Sequence, residues 1–266
     1  MRTITLARWL GLPALVVATQ GWTLLGAESA APAEWKYEGP KHLAGAIYAP
    51  GGEAAKPLFN FKREATRSGS RVNVVRDYAY PDGRLAARER VVYEGDALVS
   101  YQLEESQIGA KGSARIRRAP GNTGKGTIEF AYRADASAEG RPSLREEPWQ
   151  EDTLVSDMVA PFLALHCDAL QRGEKVRCRY IVVPRRETVG FTFLKQGESK
   201  QHGVEVIILK MEPTSPFIAA LVSPLIFALE KAAPHRVLQC TGRTTPKLQV
   251  GSKWKDLDAV TIFDWK

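Results

Sequence analysis

Histidine and cysteine are scarce in this chain, which contains four histidines and three cysteines among 266 residues. No Cys-x-x-Cys pair occurs, and the only histidine next to a cysteine is His166, which precedes Cys167. Zinc sites use several such ligands at short, regular spacings, so no zinc site is predicted. Adjacent residues of a helix point about 100° apart, which argues against a catalytic thiol–imidazole pair at these two positions.

Sequence motifs of common enzymes are also missing. No Gly-x-Ser-x-Gly nucleophile elbow occurs. The glycine-rich stretch at residues 121–127 differs from a phosphate loop, because Lys125 is followed by Gly126 instead of Ser or Thr and precedes a predicted strand. The acidic residues between 146 and 152 lack the regular spacing of a calcium loop. We therefore predict no catalytic residue, no metal and no cofactor.

Apolar runs of the length that spans a bilayer, roughly 20 residues, are not evident either. At the N-terminus, Arg2 and Arg8 precede a short apolar run at residues 9–18, and Leu25 and Ala27 suit a cleavage site. This order is typical of a secretory signal peptide, so residues 1–27 are interpreted as one. We expect an exported chain, periplasmic or extracellular, that does not span a membrane.

The chain is basic, with a formal net charge of +7, and residues 1–27 contribute two of these charges. No cluster of lysine and arginine resembles a nucleic-acid-binding arm, and export argues further against such a partner. The remaining positive charge suits anionic lipid head groups or acidic glycans, and it equally suits an ordinary solvated surface. We predict no nucleic-acid partner.

The cysteines leave two alternatives open. In an oxidising compartment one disulfide among Cys167, Cys178 and Cys240 would leave one thiol over. Cys178 and Cys240 lie in predicted strands and Cys167 near a predicted helix end, so spacing does not select a pair. Three buried free thiols explain the sequence as well.

The first half of the mature chain predicts an antiparallel meander. Residues 28–57 are rich in Ala, Gly and Pro and are interpreted as an irregular lead-in with one short strand at 43–48. A single β domain is predicted over residues 58–266, where apolar runs alternate with turn signals about every ten residues. The predicted strands are 59–66, 71–80, 88–95, 97–107, 113–118 and 127–133, and residues 134–148 are predicted to form an exposed loop.

The second half predicts helical segments inserted among strands. Residues 156–172 have an apolar face and end before Gly173, which indicates a helix. Residues 217–229 carry no charge and are predicted to form a second helix, kinked at Pro224. Strands are predicted at 174–183, 187–195, 203–211, 236–244 and 258–265. The predicted fold is mainly β, a curved antiparallel, half-barrel-like sheet with two helical segments packed on or in its concave face.

The order of these elements resembles an uncharacterised group of exported bacterial β proteins. The likeness rests on the turn Gln171-Arg172-Gly173-Glu174, the apolar insert, and the strand ending at residues 240–244, Cys-Thr-Gly-Arg-Thr. Their shape is similar to the half-barrels of the lipoprotein-localisation carriers. Over residues 58–266, the resemblance implies a curved sheet that covers apolar helices and encloses an apolar cavity.

Six residues in and after the apolar insert are candidates for ligand binding. Four are apolar and would line or gate a cavity for a lipid or other apolar molecule, unless they simply fill the core. Two are arginines that flank the following strand and would meet an anionic head group. These six residues are Phe217, Leu221, Leu225, Phe227, Arg236 and Arg243.

Three functions remain open on the sequence. The first is non-enzymatic binding or carriage of a lipid or other apolar ligand, which requires an apolar cavity of several hundred Å³. The second is an envelope scaffold that binds another protein through a sheet edge or surface patch and has a filled core. The third and weakest is an envelope-polymer hydrolase, which requires polar groups that converge in a cleft.

Overall fold

Fifteen strands form one sheet in the described part of the chain, which in this computed structural model comprises residues 39–51, 56–119, 122–134 and 142–265. The first eight are β1 (His42–Tyr48), β2 (Phe59–Ser68), β3 (Arg71–Ala79), β4 (Leu85–Glu94), β5 (Ala97–Glu105), β6 (Ala110–Ala119), β7 (Asn122–Arg133) and β8 (Ser143–Pro148). The others are β9 (Thr153–Leu154), β10 (Val176–Val182), β11 (Glu187–Gln201), β12 (Val204–Pro213), β13 (Leu225–Glu230), β14 (Val237–Val250) and β15 (Lys253–Asp264). The predicted signal peptide, residues 1–27, lies outside the described residues.

The sheet has two arms that meet at β1 and β15. One arm runs from β1 to the edge strand β8, and the other runs from β15 back to the edge strand β9. All neighbouring strands are antiparallel except β9 and β10, which are parallel. The short strand predicted at 43–48 is confirmed as β1, which pairs with both β2 and β15, so the sheet includes part of the predicted lead-in before residue 58.

The two arms approach each other through side chains rather than through a backbone ladder. Glu147 of β8 accepts hydrogen bonds from the backbone N–H and the hydroxyl of Thr188 in β11, at 2.8 and 3.0 Å. Arg145 of β8 also lies 3.5 Å from the carboxylate of Glu187. The result is one large curved sheet that does not close, and the predicted mainly β fold class is confirmed.

The first predicted helical segment packs against the concave face of the sheet. It consists of a 3-10 turn at Ser156–Met158, helix α1 (Val159–Leu165) and helix α2 (Cys167–Gln171). The predicted single helix over 156–172 is therefore broken, at His166, whose φ of −101° and ψ of 11° depart from helical values. Phe162, Leu163 and Leu170 of these helices are buried in the main core.

The predicted helix at residues 217–229 is wrong. Only α3 (Pro216–Ala219) is helical there, and residues 225–230 form β13 between β12 and β14. Pro224 lacks the N–H that a helix needs and disfavours helical angles in the residue before it. The strand is buried from Phe227 to Glu230, so it reads as a continuous apolar run that periodicity cannot distinguish from a buried helix.

The predicted exposed loop at residues 134–148 is also partly wrong, because β8 lies inside it. This strand pairs with β7 from Thr127↔Pro148 to Tyr132↔Ser143. Five of its six side chains are exposed, so the segment lacks the alternation of apolar and polar residues that predicts a strand. Its place in the sheet depends on backbone pairing with β7.

Candidate ligand-binding cavity

A cavity of about 150 Å³ lies between the concave face of the sheet and the start of the helical segment. Its walls come from β1 to β3, from β10, from β12 to β15 and from the turn that begins at Ser156. It is partly open to the surface, and exposed Arg243 belongs to its lining. The curvature of the sheet therefore leaves an internal space that the helices do not fill.

Most of the cavity wall is apolar and partly aromatic. Phe61 and Phe263 meet edge to face, with ring centroids 5.6 Å apart. Leu225, Phe227 and Val237, on the same arm as Phe263, add aliphatic and aromatic side chains to the wall. Aromatic and aliphatic walls of this kind favour an apolar guest, because contact with the wall removes its surface from water.

Gly242 is required for the shape of this wall. Its φ is +130°, a backbone conformation that residues with a side chain rarely adopt. A Cβ at this position would lie 2.7 Å from Leu225 Cδ2. The glycine thus allows β14 to pass close to Leu225 without pushing that side chain into the cavity.

Glu89 lies buried behind the cavity wall and accepts four hydrogen bonds. Its Oε2 accepts from Arg76 Nη1 at 2.9 Å and from Ser156 Oγ at 2.5 Å. Its Oε1 accepts from Thr245 Oγ1 at 2.7 Å and from Tyr78 OH at 3.3 Å. This carboxylate is therefore fully engaged as an acceptor, and a general-base role would require breaking the network.

A second buried ion pair ties the helical segment to the sheet. Asp157 accepts from Arg63 Nε at 2.6 Å and from Arg63 Nη2 at 3.1 Å, and both side chains are almost completely buried. Tyr93 OH donates to the same carboxylate at 3.0 Å, and Arg63 also donates to the backbone oxygen of Pro40. The two ends of the pair are 94 residues apart in the chain, so it fixes the start of the helical segment on β2.

Arg76 is a charged residue of the cavity wall that has unused hydrogen-bonding capacity. Its side chain is 12% exposed, and its Nε has no hydrogen-bond partner. The guanidinium also lies 5.2 Å from the ring centroid of Phe61. Burial favours the uncharged form, but the neighbouring Tyr78, Glu89 and Asp157 outweigh it and raise the pKa of Arg76, so the group stays cationic.

Sequence reasoning missed this polar network, although a signal for it exists. Arg76 and Glu89 are directly opposed across β3 and β4, and Asp77 pairs with Arg88 on the other face of the same two strands. Charges thus occur on both faces of this strand pair, so their presence in the sequence does not show which of them is buried. At a period of two, Arg76 continues the buried face that begins at Val72, which is the pattern that marks it as inward-facing.

The three cysteines are unpaired thiols in the structure. Burial raises the pKa of Cys178 and of Cys240 to about 12 and also raises that of Cys167. Cys240 lines the cavity. Because the thiolate is the reactive form, these side chains are small apolar packing groups at neutral pH and not nucleophiles.

The structure brings together three of the six residues proposed from the sequence. Leu225, Phe227 and Arg243 line the cavity. Phe217 in α3 and Leu221 after this helix lie on the surface before β13, 86% and 80% exposed, and are not part of the wall.

The two predicted arginines are engaged by acidic neighbours. Arg236 binds the buried Glu230 carboxylate at 2.8 and 2.9 Å, away from the cavity. Arg243 contacts Asp256 at 2.5 Å and Asp258 at 2.8 Å. Neither offers an uncompensated positive charge to an anionic head group.

A second depression of about 410 Å³ lies beside Tyr80, Arg84 and Trp254 at one end of the sheet. Its central amide belongs to Gln107, which donates to Tyr80 OH at 2.7 Å and to the backbone oxygen of Lys247 at 2.9 Å. The amide also accepts from the Lys247 backbone N–H at 2.7 Å. Because these groups satisfy one another, the depression is the weaker candidate despite its volume.

Two further features bear on function. In the residues that the structure describes, no group of three or more His, Cys, Asp or Glu side chains is arranged to hold a metal ion. Within the same ranges, every helix is too short or too polar to cross a membrane.

Comparison with known proteins gives one structural likeness. No family model matches the chain, and no curated protein matches its sequence. Among solved structures it is similar to the beta-barrel-like protein of domain of unknown function DUF1849 from Brucella abortus, at 8% sequence identity and a TM-score of 0.40. The match covers 85% of this chain and 96% of that one.

Proposed function

We propose that this protein is an exported, non-enzymatic binding protein that takes up a small amphipathic molecule, or the apolar end of a larger one, in the cavity of its curved sheet. The observation that carries the proposal is the partly open cavity with aromatic and aliphatic walls and Arg76 in its lining. The arrangement of residues 1–27 supports export.

The volume of the cavity limits the size of the guest. Cavities near 150 Å³ hold a molecule about as large as benzene. Sites for larger ligands measure roughly 300–1,000 Å³. A complete acyl chain therefore does not fit the space of about 150 Å³ between the sheet and the helical segment. We therefore propose a small guest, or the end of an acyl chain, in place of the whole lipid that the sequence suggests.

The state of the polar groups favours binding over catalysis. The carboxylates of Glu89 and Asp157 are engaged by several donors each, and the thiol of Cys240 is held in its protonated form. General bases and nucleophiles need a free lone pair aimed at a substrate. These hydrogen-bonded groups instead form a fixed polar layer next to the apolar cavity.

An interaction protein of the envelope is the second candidate. Phe217 in α3 and Leu221 after it are exposed on an uncharged segment that leads to the cavity-lining Leu225. Large apolar side chains exposed together mark surfaces that meet a partner. This role does not need a guest in the cavity.

Native mass spectrometry of the protein purified from its own exported compartment tests the proposal. We expect a discrete adduct of small mass that organic extraction removes and identifies. A mass equal to that of the apoprotein, unchanged after incubation with a short-chain alkyl ester and with an alkylbenzene, would overturn the binding proposal and leave the interaction role in front.

A further inference from the structure

Arg76 lines the cavity and has unused hydrogen-bonding capacity. A guanidinium carries five N–H groups, and Arg76 uses Nη1 for Glu89 while its Nε has no partner. Buried donors are nearly always satisfied, so an unsatisfied one beside a cavity can take an acceptor from a bound molecule. The acceptor of a bound molecule would meet Arg76 with its apolar part against Phe61 and Phe227, which line the same cavity.

The charges around the cavity are already balanced. Arg76 is paired with Glu89, and Arg63 is paired with Asp157. Arg243 faces two carboxylates, those of Asp256 and Asp258. An added carboxylate would therefore bring a negative charge without a spare cation, next to the buried Glu89. An uncharged oxygen would accept the same hydrogen bond without that cost.

Several neighbours of Arg76 in the lining are uncharged and polar. Burial raises the pKa of Tyr78 and of Tyr180, so both hydroxyls stay protonated. Thr244 and Thr261 complete this part of the wall. Such hydroxyls donate to or accept from a neutral group and do not stabilise an anion as a cation does.

We infer that the cavity selects molecules with an uncharged oxygen acceptor, such as the carbonyl of a ketone, ester or amide, over carboxylates of the same shape. Arg76 donates to that oxygen, and the aromatic and aliphatic wall holds a body about the size of one ring. This inference rests on the proposed function and specifies the chemical class of its ligand.

Three ligands of nearly equal shape separate the contributions of the hydrogen-bond acceptor, of its charge and of apolar contact. Acetophenone has a neutral carbonyl, benzoate has a charged acceptor, and α-methylstyrene has no oxygen. Calorimetric titration of the purified protein at neutral pH should show acetophenone binding about tenfold more tightly than α-methylstyrene, as expected for a hydrogen bond to a charged donor. It should also bind about tenfold more tightly than benzoate, whose negative charge meets no spare cation.

Each outcome has a distinct meaning. If none of the three binds, the proposed function fails for this cavity. If α-methylstyrene binds as tightly as acetophenone, the cavity is a binding site but the role of Arg76 is refuted. If benzoate binds more tightly than acetophenone, the selection against charge is refuted.

Variants on one pair of strands provide the controls. Glu89→Gln removes the negative charge beside Arg76 and should shift the preference toward benzoate by about tenfold or more. Asp77→Asn changes the outward-facing pair of the same two strands, at 2.5 Å from Arg88, and should leave all three affinities unchanged. If Glu89→Gln does not fold, the double variant Arg76→Met/Glu89→Gln should fold and lose the discrimination between acetophenone and α-methylstyrene. Retained discrimination in that variant would overturn the inference.

Discussion

Replacing Asp157 with alanine is expected to lower the free energy of unfolding by about 3–5 kcal/mol, the usual cost of removing one partner of a buried ion pair. The substitution leaves the guanidinium of Arg63 buried without its carboxylate and removes the acceptor of Tyr93 OH. It also detaches the start of the helical segment from β2. Equilibrium unfolding in guanidinium chloride, with the m-value compared between variants, measures the loss.

Two controls separate burial from charge in this prediction. Asp258→Ala removes a carboxylate from the exposed pair with Arg243 and should cost less than about 1 kcal/mol. The double variant Arg63→Met/Asp157→Leu replaces the buried pair by apolar side chains and should recover most of the stability. If Asp157→Ala costs no more than Asp258→Ala, the buried pair does not have the structural role assigned to it.

Replacing Leu225 with tryptophan is expected to weaken acetophenone binding by at least about tenfold, because the larger ring occupies the cavity that Leu225 lines. Leu221→Trp makes the same change four residues earlier, on a side chain that is 80% exposed, and should leave the affinity unchanged. Calorimetric titration gives both affinities, and circular dichroism with thermal unfolding verifies that each variant is folded.

The comparison between these two variants also separates the structure from the sequence-based expectation. The sequence pattern predicts both leucines on one helix that faces the cavity. If Leu221→Trp weakens binding as much as Leu225→Trp, the segment before β13 folds over the ligand and Leu221 belongs to the cavity wall.

The strand arrangement was largely predictable from the sequence because it depends on local signals. Turn residues such as Gly69, Gly83 and Gly95 adopt positive φ values between consecutive strands, as the turn signals implied. Alternation along β11, where Val189 and Phe193 are buried, likewise identified a strand.

Two kinds of feature were not predictable, and both depend on tertiary context. The segment that became β13 is buried at consecutive positions from Phe227 to Glu230, on both faces of the sheet, so its apolar run carried no period of two. The hydrogen-bond partners of Arg76 and Glu89 depend on the register between β3 and β4 and on Ser156 and Thr245, which come from distant parts of the chain. Local propensity does not report such long-range partners.

The most direct test of the central claim, that the interior cavity binds an amphipathic guest, is a methyl NMR titration with acetophenone. The methyl groups of Met211, Leu225 and Val237 line the cavity, whereas those of Leu144 and Leu221 are on the surface. We predict saturable shifts at the first three and none at the other two. Unchanged cavity methyls at saturating ligand, or shifts confined to the surface leucines, would contradict the account.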